Sequence, residues 1–430
     1  MTKKQIVIIG GGFAGINLAK HLTDKDEYDI VLVDKNNYNF FPPLLYQVAT
    51  GFLEASNISY PFRKMFQGKK NIRFRMGNLL KVVPEQNKVI LSTSEITYDY
   101  LVLATGTESN YFGLEHVKQN AIPMKTVDDA LEMRNYLLKQ LESATVAKDD
   151  AERQKLLTIV ITGGGPTGVE VAGMLAEMKK FIVRKDYPEL AGFGRQSHIY
   201  LIDAGSQLLS PMSKKSQEDT YAALSKLGVE VRLNIHVHDY VNDTVILSNG
   251  ETIQTKTLIW AAGVSSKIFD GIPASSYGRG KRLLVNEYNQ VEGLPGIYAI
   301  GDTCLQTTDA GFPQGHPQVA QVALQQGKNA AQNFMRMSQQ KPLNPFTYTD
   351  KGTMAIIGRN KAVADIPKPD LHFKGFTAWF MWLFIHLVSL VTYRNKITTL
   401  YNWMIAYFTK DQALRMIIRP LKSDSKTSVH

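Results

Sequence analysis

Short, continuous apolar runs that stop at glycine or aspartate dominate the first two-thirds of the chain. Ile6-Val7-Ile8-Ile9 ends in Gly10 and gives way to apolar positions at Ile16, Leu18 and Ala19 with helical spacing. Ile30 to Val33 closes on Asp34, and Leu101 to Ala104 runs into Thr105-Gly106. The same order returns further on. Leu156 to Ile161 leads into a glycine cluster, a helical pattern passes through Met174, Leu175 and Met178, and Ile199 to Ile202 closes on Asp203. Unbroken runs of this length, without polar alternation, predict strands buried on both faces, with helices between them. Val229 to Leu233 and Thr244 to Leu247, with a turn at Asn249-Gly250, read as antiparallel additions before Thr257 to Gly263. A last buried strand, Gly296 to Ile300, places Gly301-Asp302 at its C-terminal end, where ligands sit in open α/β sheets.

The glycines carry the first chemistry. Gly10, Gly12 and Gly15 fit G-x-G-x-x-G between a strand and a helix, and Asp34 lies about 20 residues beyond the third glycine, as in dinucleotide-binding corners. The first glycine allows a tight turn, the second lets backbone approach a pyrophosphate, and the third lets helix pack on strand. The helix N-terminus then faces the phosphates with unpaired N–H groups. Gly163, Gly165 and Gly168 repeat the spacing, with Asp203 as the acid and a longer insertion around Pro188. Two corners imply two dinucleotides, and a protein holding two moves electrons between them. The Asp203 carboxylate repels a 2′-phosphate, and Ala204-Gly205-Ser206-Gln207 offers no arginine to hold one, which favours NADH over NADPH.

Composition narrows the classes. A chain of 430 residues has room for two or three domains, and its single cysteine, Cys304, excludes an internal disulfide, a dithiol centre and a thiolate metal cluster. No metal is expected. The chain enters its first strand without an apolar leader, so a reducing cytoplasm is the default compartment. The net charge of +10 calls for anionic partners. No recognition-helix motif accompanies it, and the basic residues cluster in the tail, so nucleic acid is not expected. From Phe376 to Thr392 there is no charged side chain, a length of about 17 residues at the lower limit for crossing a bilayer. Aromatic residues spread along it, with Thr377, His386 and Ser389 interrupting, favour an interfacial helix. Arg415, Arg419 and Lys422 beyond it would attract anionic lipids, and the polar run after Pro420 is expected to be disordered. The loop Asn39 to Gln47, stiffened by Pro42-Pro43, is either a packed crossover or a wall over a cofactor ring. His316-Pro317 reads as a helix start, with Gln318, Gln321 and Gln325 then on one face. Neutral amides there suit a neutral carbonyl-bearing substrate.

The ordered set GGGFAG with Asp34, ATG at Ala104 to Gly106, GGGPTGVE with Asp203, AAG at Ala261 to Gly263 and Gly301-Asp302 resembles the two-dinucleotide-binding flavoproteins. Within them the chain most resembles the type II NADH:quinone oxidoreductases, over nearly its whole length to about Pro420. The missing cysteine pair, the A-Q-x-A-x-Q match at Ala320 to Gln325 and the aromatic, basic tail support that narrowing. The resemblance implies an α/β fold with two Rossmann-like domains and a C-terminal amphipathic membrane anchor. It places FAD in residues 1–120 and 285–345, NADH in 121–284 and membrane docking in 346–430. It implies FAD contacts at the first corner, Lys35, Gln47, Ala104, Thr105, Gly106 and Gly301, with Asp302 on the ribityl chain. It implies NADH contacts at the second corner and Gly263, Glu170 near the nicotinamide–flavin contact, Gln321 and Gln325 at the quinone head, and Lys374 near the flavin. The implied activity passes electrons from NADH through FAD to a membrane quinone without proton pumping. That activity suits a peripheral protein on the cytoplasmic face of the inner membrane, with a homodimer as one arrangement. A soluble NADH oxidase or ferredoxin-type reductase shares both corners but should lack the tail, and a redox-sensing binding protein is the non-enzymatic alternative.

Overall fold

The computed structural model describes residues 3–193, 197–410 and 414–418. In chain order the elements that position the site are β1 (Lys4–Ile9), α1 (Phe13–Leu22), β2 (Tyr28–Asp34), α2 (Leu45–Ala49), β3 (Ile72–Met76), β4 (Tyr100–Leu103), β5 (Ile122–Pro123), α3 (Val127–Thr145), β6 (Ile159–Thr162) and α4 (Pro166–Met178). They continue with β7 (Ile199–Ile202), α5 (Lys214–Leu227), β8 (Val229–Arg232), β9 (Thr257–Trp260), β10 (Ile297–Ala299), α6 (Ala320–Ser338), β11 (Thr353–Gly358), β12 (Lys361–Pro367), β13 (Asp370–Lys374), α7 (Gly375–Ser389) and α8 (Tyr393–Thr409).

Two compact units share the chain. One combines the residues up to Phe40 with Ser59–Asn110 and Val264–Lys351; the other combines Phe41–Ile58, Tyr111–Gly263 and the chain from Gly352 onward. The first is built on an all-parallel sheet of order β10-β4-β1-β2-β3. Ile6, Ile8, Ile30, Leu32 and Val102 point from one face of it into a core closed by α1 and by Phe334 of α6. Val7, Ile9, Val31, Leu101 and Leu103 fill the opposite core. Both faces are buried, which is why these strands read as continuous apolar runs.

The second unit repeats the plan as β5-β9-β6-β7-β8, again parallel throughout. In both sheets the strand entering the glycine corner lies between the strand ending in aspartate and the strand ending in Ala-Thr-Gly or Ala-Ala-Gly. A three-stranded antiparallel sheet, β11-β12-β13, leads into α7.

Three expectations are corrected. Val229–Arg232 pairs parallel to β7, because α5 supplies the crossover; only Thr244–Leu247 is antiparallel, in the middle of a separate three-stranded sheet. The boundary placed at 284/285 falls at 263/264, since Phe269, Ile272 and Leu283 join the core around β1 and Arg282–Val285 pairs with Cys304–Gln306. The helix expected from His316-Pro317 starts at Ala320 with Val319 as its N-cap. His316 is instead drawn inside, its Nε2 2.9 Å from Asp309 Oδ2.

Candidate functional site

The two glycine corners have the same geometry, built by the same local forces. Gly10 and Gly163 adopt φ of +107° and +112°, and a Cβ on either would lie 2.3 Å from Ala104 O or 2.4 Å from Ala261 O. Only glycine fits there, because L side chains avoid that region and the neighbouring strand ends against it. The third glycines, Gly15 and Gly168, let α1 and α4 settle within 1.9 and 1.8 Å, measured from a built Cβ, of the Gly10 and Gly163 carbonyls. The second glycines, Gly12 and Gly165, are the N-caps of α1 and α4 and have no side-chain cap, and a Cβ on either would meet nothing within 4 Å. The N-termini of both helices, which no N-cap side chain closes, therefore open onto space that a side chain would begin to fill. This fits a pyrophosphate, by shape and by helix dipole.

The aspartates are tied in alike. Asp34 Oδ2 accepts from the Gly11 N–H at 2.7 Å and its Oδ1 from the Asn36 N–H at 2.8 Å. Asp203 Oδ2 accepts from Gly164 N–H at 2.5 Å and its Oδ1 from Gly205 N–H at 2.6 Å. Burial raises the Asp34 pKa against the pull of those two N–H groups. Gly11 and Gly164 were not singled out in the sequence. The signal was the middle of three consecutive glycines in each corner, whose N–H orients the acid. Asn39, also unassigned, donates from Nδ2 to Gly11 O at 2.9 Å. Lys35 is exposed beside Asp34.

Around the first corner, Thr105 Oγ1 lies 3.3 Å from Thr303 Oγ1, and Gly106 and Gly301 both adopt positive φ. The Gly301 N–H donates to Gln326 Oε1 at 2.7 Å, and the Asp302 carbonyl accepts from Ser266 Oγ and Gln318 Nε2. Gln326 is fully buried and holds the Gly-Asp turn from α6. Helical spacing pointed to its neighbours Gln321 and Gln325 instead. Gln325 pairs with the Thr349 backbone through both Nε2 and Oε1, at 2.9 and 3.1 Å, and Gln321 Oε1 accepts from the Lys351 N–H at 3.2 Å. Both amides thus fasten α6 to residues 349–351.

In the second unit, Gly263 also has positive φ, and Phe112 lies against it. Glu170 stands on the first turns of α4, and burial pushes its carboxyl up to about 8. The Ile356 N–H and the Trp382 indole oppose that rise; the indole N–H is buried and faces the carboxyl from outside strict hydrogen-bond geometry. Gln47 is buried. It donates from Nε2 to the Tyr46 hydroxyl and accepts from Trp403 Nε1 at 2.7 Å. Lys374 is the N-cap of α7 and pairs with Asp219 Oδ1 at 3.0 Å. That pairing also helps hold the Asp219 pKa low, beside His372.

The tail is two helices. Chain direction breaks at Leu390, and Trp382 lies fully buried on the inner side of α7, stacked on His386 at 3.8 Å. Phe376, Phe380, Phe384, Ile397, Tyr401 and Phe408 stand outward, exposed by 57 to 78%. Among the described residues no helix is long and apolar enough to cross a membrane. Arg415, expected to face lipid, is instead held by Asp186 Oδ2 at 2.6 Å. Arg419, Lys422 and the run after Pro420 lie outside the described residues.

Residues 4–327 match the pyridine nucleotide-disulphide oxidoreductase family, and 351–410 match the NDH2 C-terminal domain. A type II NADH:quinone oxidoreductase of Mycobacterium tuberculosis is 37% identical over 422 residues, covering 94% of this chain and 87% of that protein. The chain belongs to the type II NADH:quinone oxidoreductases. An internal alternative NAD(P)H-ubiquinone oxidoreductase of potato, Solanum tuberosum, is 30% identical over 94% of this chain and 86% of its own length. Among solved structures, NDH2 of Plasmodium falciparum in complex with NADH superimposes with a TM-score of 0.87 at 22% identity, over 97% of this chain and 100% of that one. The sulfide:quinone oxidoreductase of Aquifex aeolicus reaches 0.72 at 21% identity, covering 97% and 96%. These last two likenesses establish the α/β fold.

Proposed function

We propose that this protein takes two electrons from NADH and delivers them, by way of bound FAD, to a membrane quinone. The observation that carries the reading is the pair of equivalent cradles, each with its aspartate tied to the middle glycine. They occur in a chain that aligns over 94% of its length with an enzyme named for that activity.

In this reading the first unit holds FAD and the second NADH. Gly12 and Gly165 admit the two pyrophosphates, Asp34 and Asp203 accept hydrogen bonds from the riboses, and Lys35 lies beside the first of them. Ala104 to Gly106 and Gly301-Asp302 line the FAD site, with Asp302 toward the ribityl chain and Gln47 behind the ring. Gly263 closes the NADH site, and Asp203 favours NADH over NADPH by repelling a 2′-phosphate. FAD, when bound, supplies the two-electron chemistry. Glu170 stands by the nicotinamide–flavin contact and holds a proton at neutral pH. Gln325 keeps a second Nε2 hydrogen beyond its bond to Thr349, and that hydrogen, with the Gln321 amide, meets a quinone carbonyl without introducing charge. Lys374 adds positive charge near the flavin. The outward aromatics of α7 and α8 sink into headgroups on the cytoplasmic face of the inner membrane, where quinone enters from lipid. The protein acts there alone or as a pair of copies.

The test is direct. Purified protein should be yellow, bleach with NADH and recover its colour when a menaquinone or ubiquinone analogue is added. Colourless protein, or flavin that NADH leaves oxidised, would sink the assignment.

A further inference from the structure

Reducing a quinone to a quinol takes two electrons and two protons, while NADH brings a hydride. The balance, NADH + H⁺ + quinone giving NAD⁺ + quinol, draws one proton from solvent in each turnover. A buried site needs a route for it.

Helix α4 carries a second acid, Glu177, seven residues after Glu170 and therefore on the same side of the helix, about 10.5 Å further along at 1.5 Å per residue. Between them Gly173 brings the helix hard against β11, where a Cβ would lie 1.7 Å from Ile357 O. On either side of that contact the acids face the same segment. Glu170 meets the Ile356 N–H, and Glu177 Oε1 accepts from the Arg359 N–H at 2.7 Å. Glu177 is almost wholly buried, and burial raises its carboxyl. The groups facing it are Lys180 from the turn beyond α4, and Arg359 and Lys361 from the β11–β12 hairpin. These cations mark the end nearer solvent. Tyr46 comes from α2, which packs on α4. It is fully buried, accepts from Gln47 Nε2 at 2.9 Å, and senses the charge of Glu170 and then of Glu177. Glu170 is faced besides by the Trp382 indole. Burial keeps the Tyr46 phenol protonated far above neutral pH, so it can pass a proton on as a neutral hydroxyl.

Holding the Arg359 N–H asks only for an acceptor, which a glutamine would supply without the cost of burying a carboxyl. We propose that Glu177 is where the solvent proton enters, passing through the Tyr46 hydroxyl to Glu170, an inference that rests on the quinone-reductase reading above. Once Glu170 has passed its own proton toward the quinone, the Glu177 carboxylate takes a proton from water or buffer and hands it to the Tyr46 oxygen as that hydroxyl releases its own to the Glu170 carboxylate. Water completes the hydrogen-bonded line where side chains do not reach, and no electrons move along it.

The experiment compares wild type, Glu177→Gln and Tyr46→Phe as flavin-loaded protein on lipid vesicles, by stopped flow with a pH-indicator dye. Glu177→Gln keeps the acceptor for Arg359 and should bleach with NADH at the wild-type rate. Its quinone-driven recovery and proton uptake should slow together by about 10²-fold, the usual scale of a lost proton-transfer group. A larger solvent isotope effect and partial rescue by added imidazole or formate should accompany the slowing. Tyr46→Phe should slow the same step. An infrared pH titration without NADH should lose one carboxylic-acid band in Glu177→Gln. Wild-type recovery in Glu177→Gln, or slowing with neither isotope effect nor rescue, overturns the proposal. A wild type that fails to bleach and recover overturns the quinone-reductase reading itself.

Discussion

The two cradles make a separable prediction about glycine. At Gly12 the backbone is extended, with φ of −75°, and a Cβ meets no protein atom within 4 Å. Gly12→Ala should therefore fold as well as wild type, while its methyl group stands where the phosphate must approach. Losing one charge-assisted hydrogen bond costs about 1.5–3 kcal/mol, or roughly 10- to 100-fold in FAD affinity. Gly10→Ala should behave differently. Its φ of +107° costs a side chain about 1–2 kcal/mol, and the added Cβ sits 2.3 Å from Ala104 O, so the fold itself should weaken by about 3 kcal/mol or more. Gly165→Ala should leave flavin content intact and raise the KM for NADH by about 10-fold or more. Flavin absorbance per protein and thermal unfolding of flavin-stripped protein read all three. If Gly12→Ala keeps full flavin, or melts as early as Gly10→Ala once stripped, the cradle geometry has been misread.

Asp203→Ala frees the Gly164 and Gly205 N–H groups and removes the charge facing the ribose, so the kcat/KM preference for NADH over NADPH should fall about 10-fold; an unchanged ratio refutes its part in coenzyme choice. Burial keeps Glu170 protonated in the folded protein up to about 8, whereas it ionises near 4.5 when unfolded. The folded state thus binds the extra proton between those values, and stability should decline as pH rises through that window, a slope that Glu170→Gln should flatten in denaturant titrations. His386 has the opposite sign. Burial lowers it to about 4, so below its ordinary 6.5 the unfolded chain binds more protons and stability should fall as pH drops, until His386→Phe removes the effect. Trp403→Phe strips Gln47 Oε1 of its indole donor in a buried setting and should cost about 1–3 kcal/mol by thermal or urea unfolding. Replacing Phe376, Phe380 and Phe384 together by serine should abolish flotation with anionic vesicles while leaving flavin content unchanged; persistent flotation places the membrane contact elsewhere.

The buried parallel strands, the corner glycines and the aspartates that follow were legible in the sequence because each answers a local demand. A strand covered on both faces must be apolar throughout, a turn at positive φ must be glycine, and an acid must end the neighbouring strand. The family was legible for the same reason, since those demands recur in fixed order along the chain. Other matters turned on which segments meet, and distant pairing leaves little trace in local composition. Val229–Arg232 looked like an antiparallel addition until α5 carried it back parallel to β7. Gln326 differs from Gln325 by a single helical step, yet that step turns it inward to hold Gly301. Arg415 looked free for lipid until Asp186 was brought beside it. The uptake path proposed at Glu177 belongs to this second kind. Spacing along α4 aligns the two acids, but only the close approach of β11 at Gly173 and the phenol of Tyr46 from α2 withdraw them from water, and withdrawal from water raises both carboxyls.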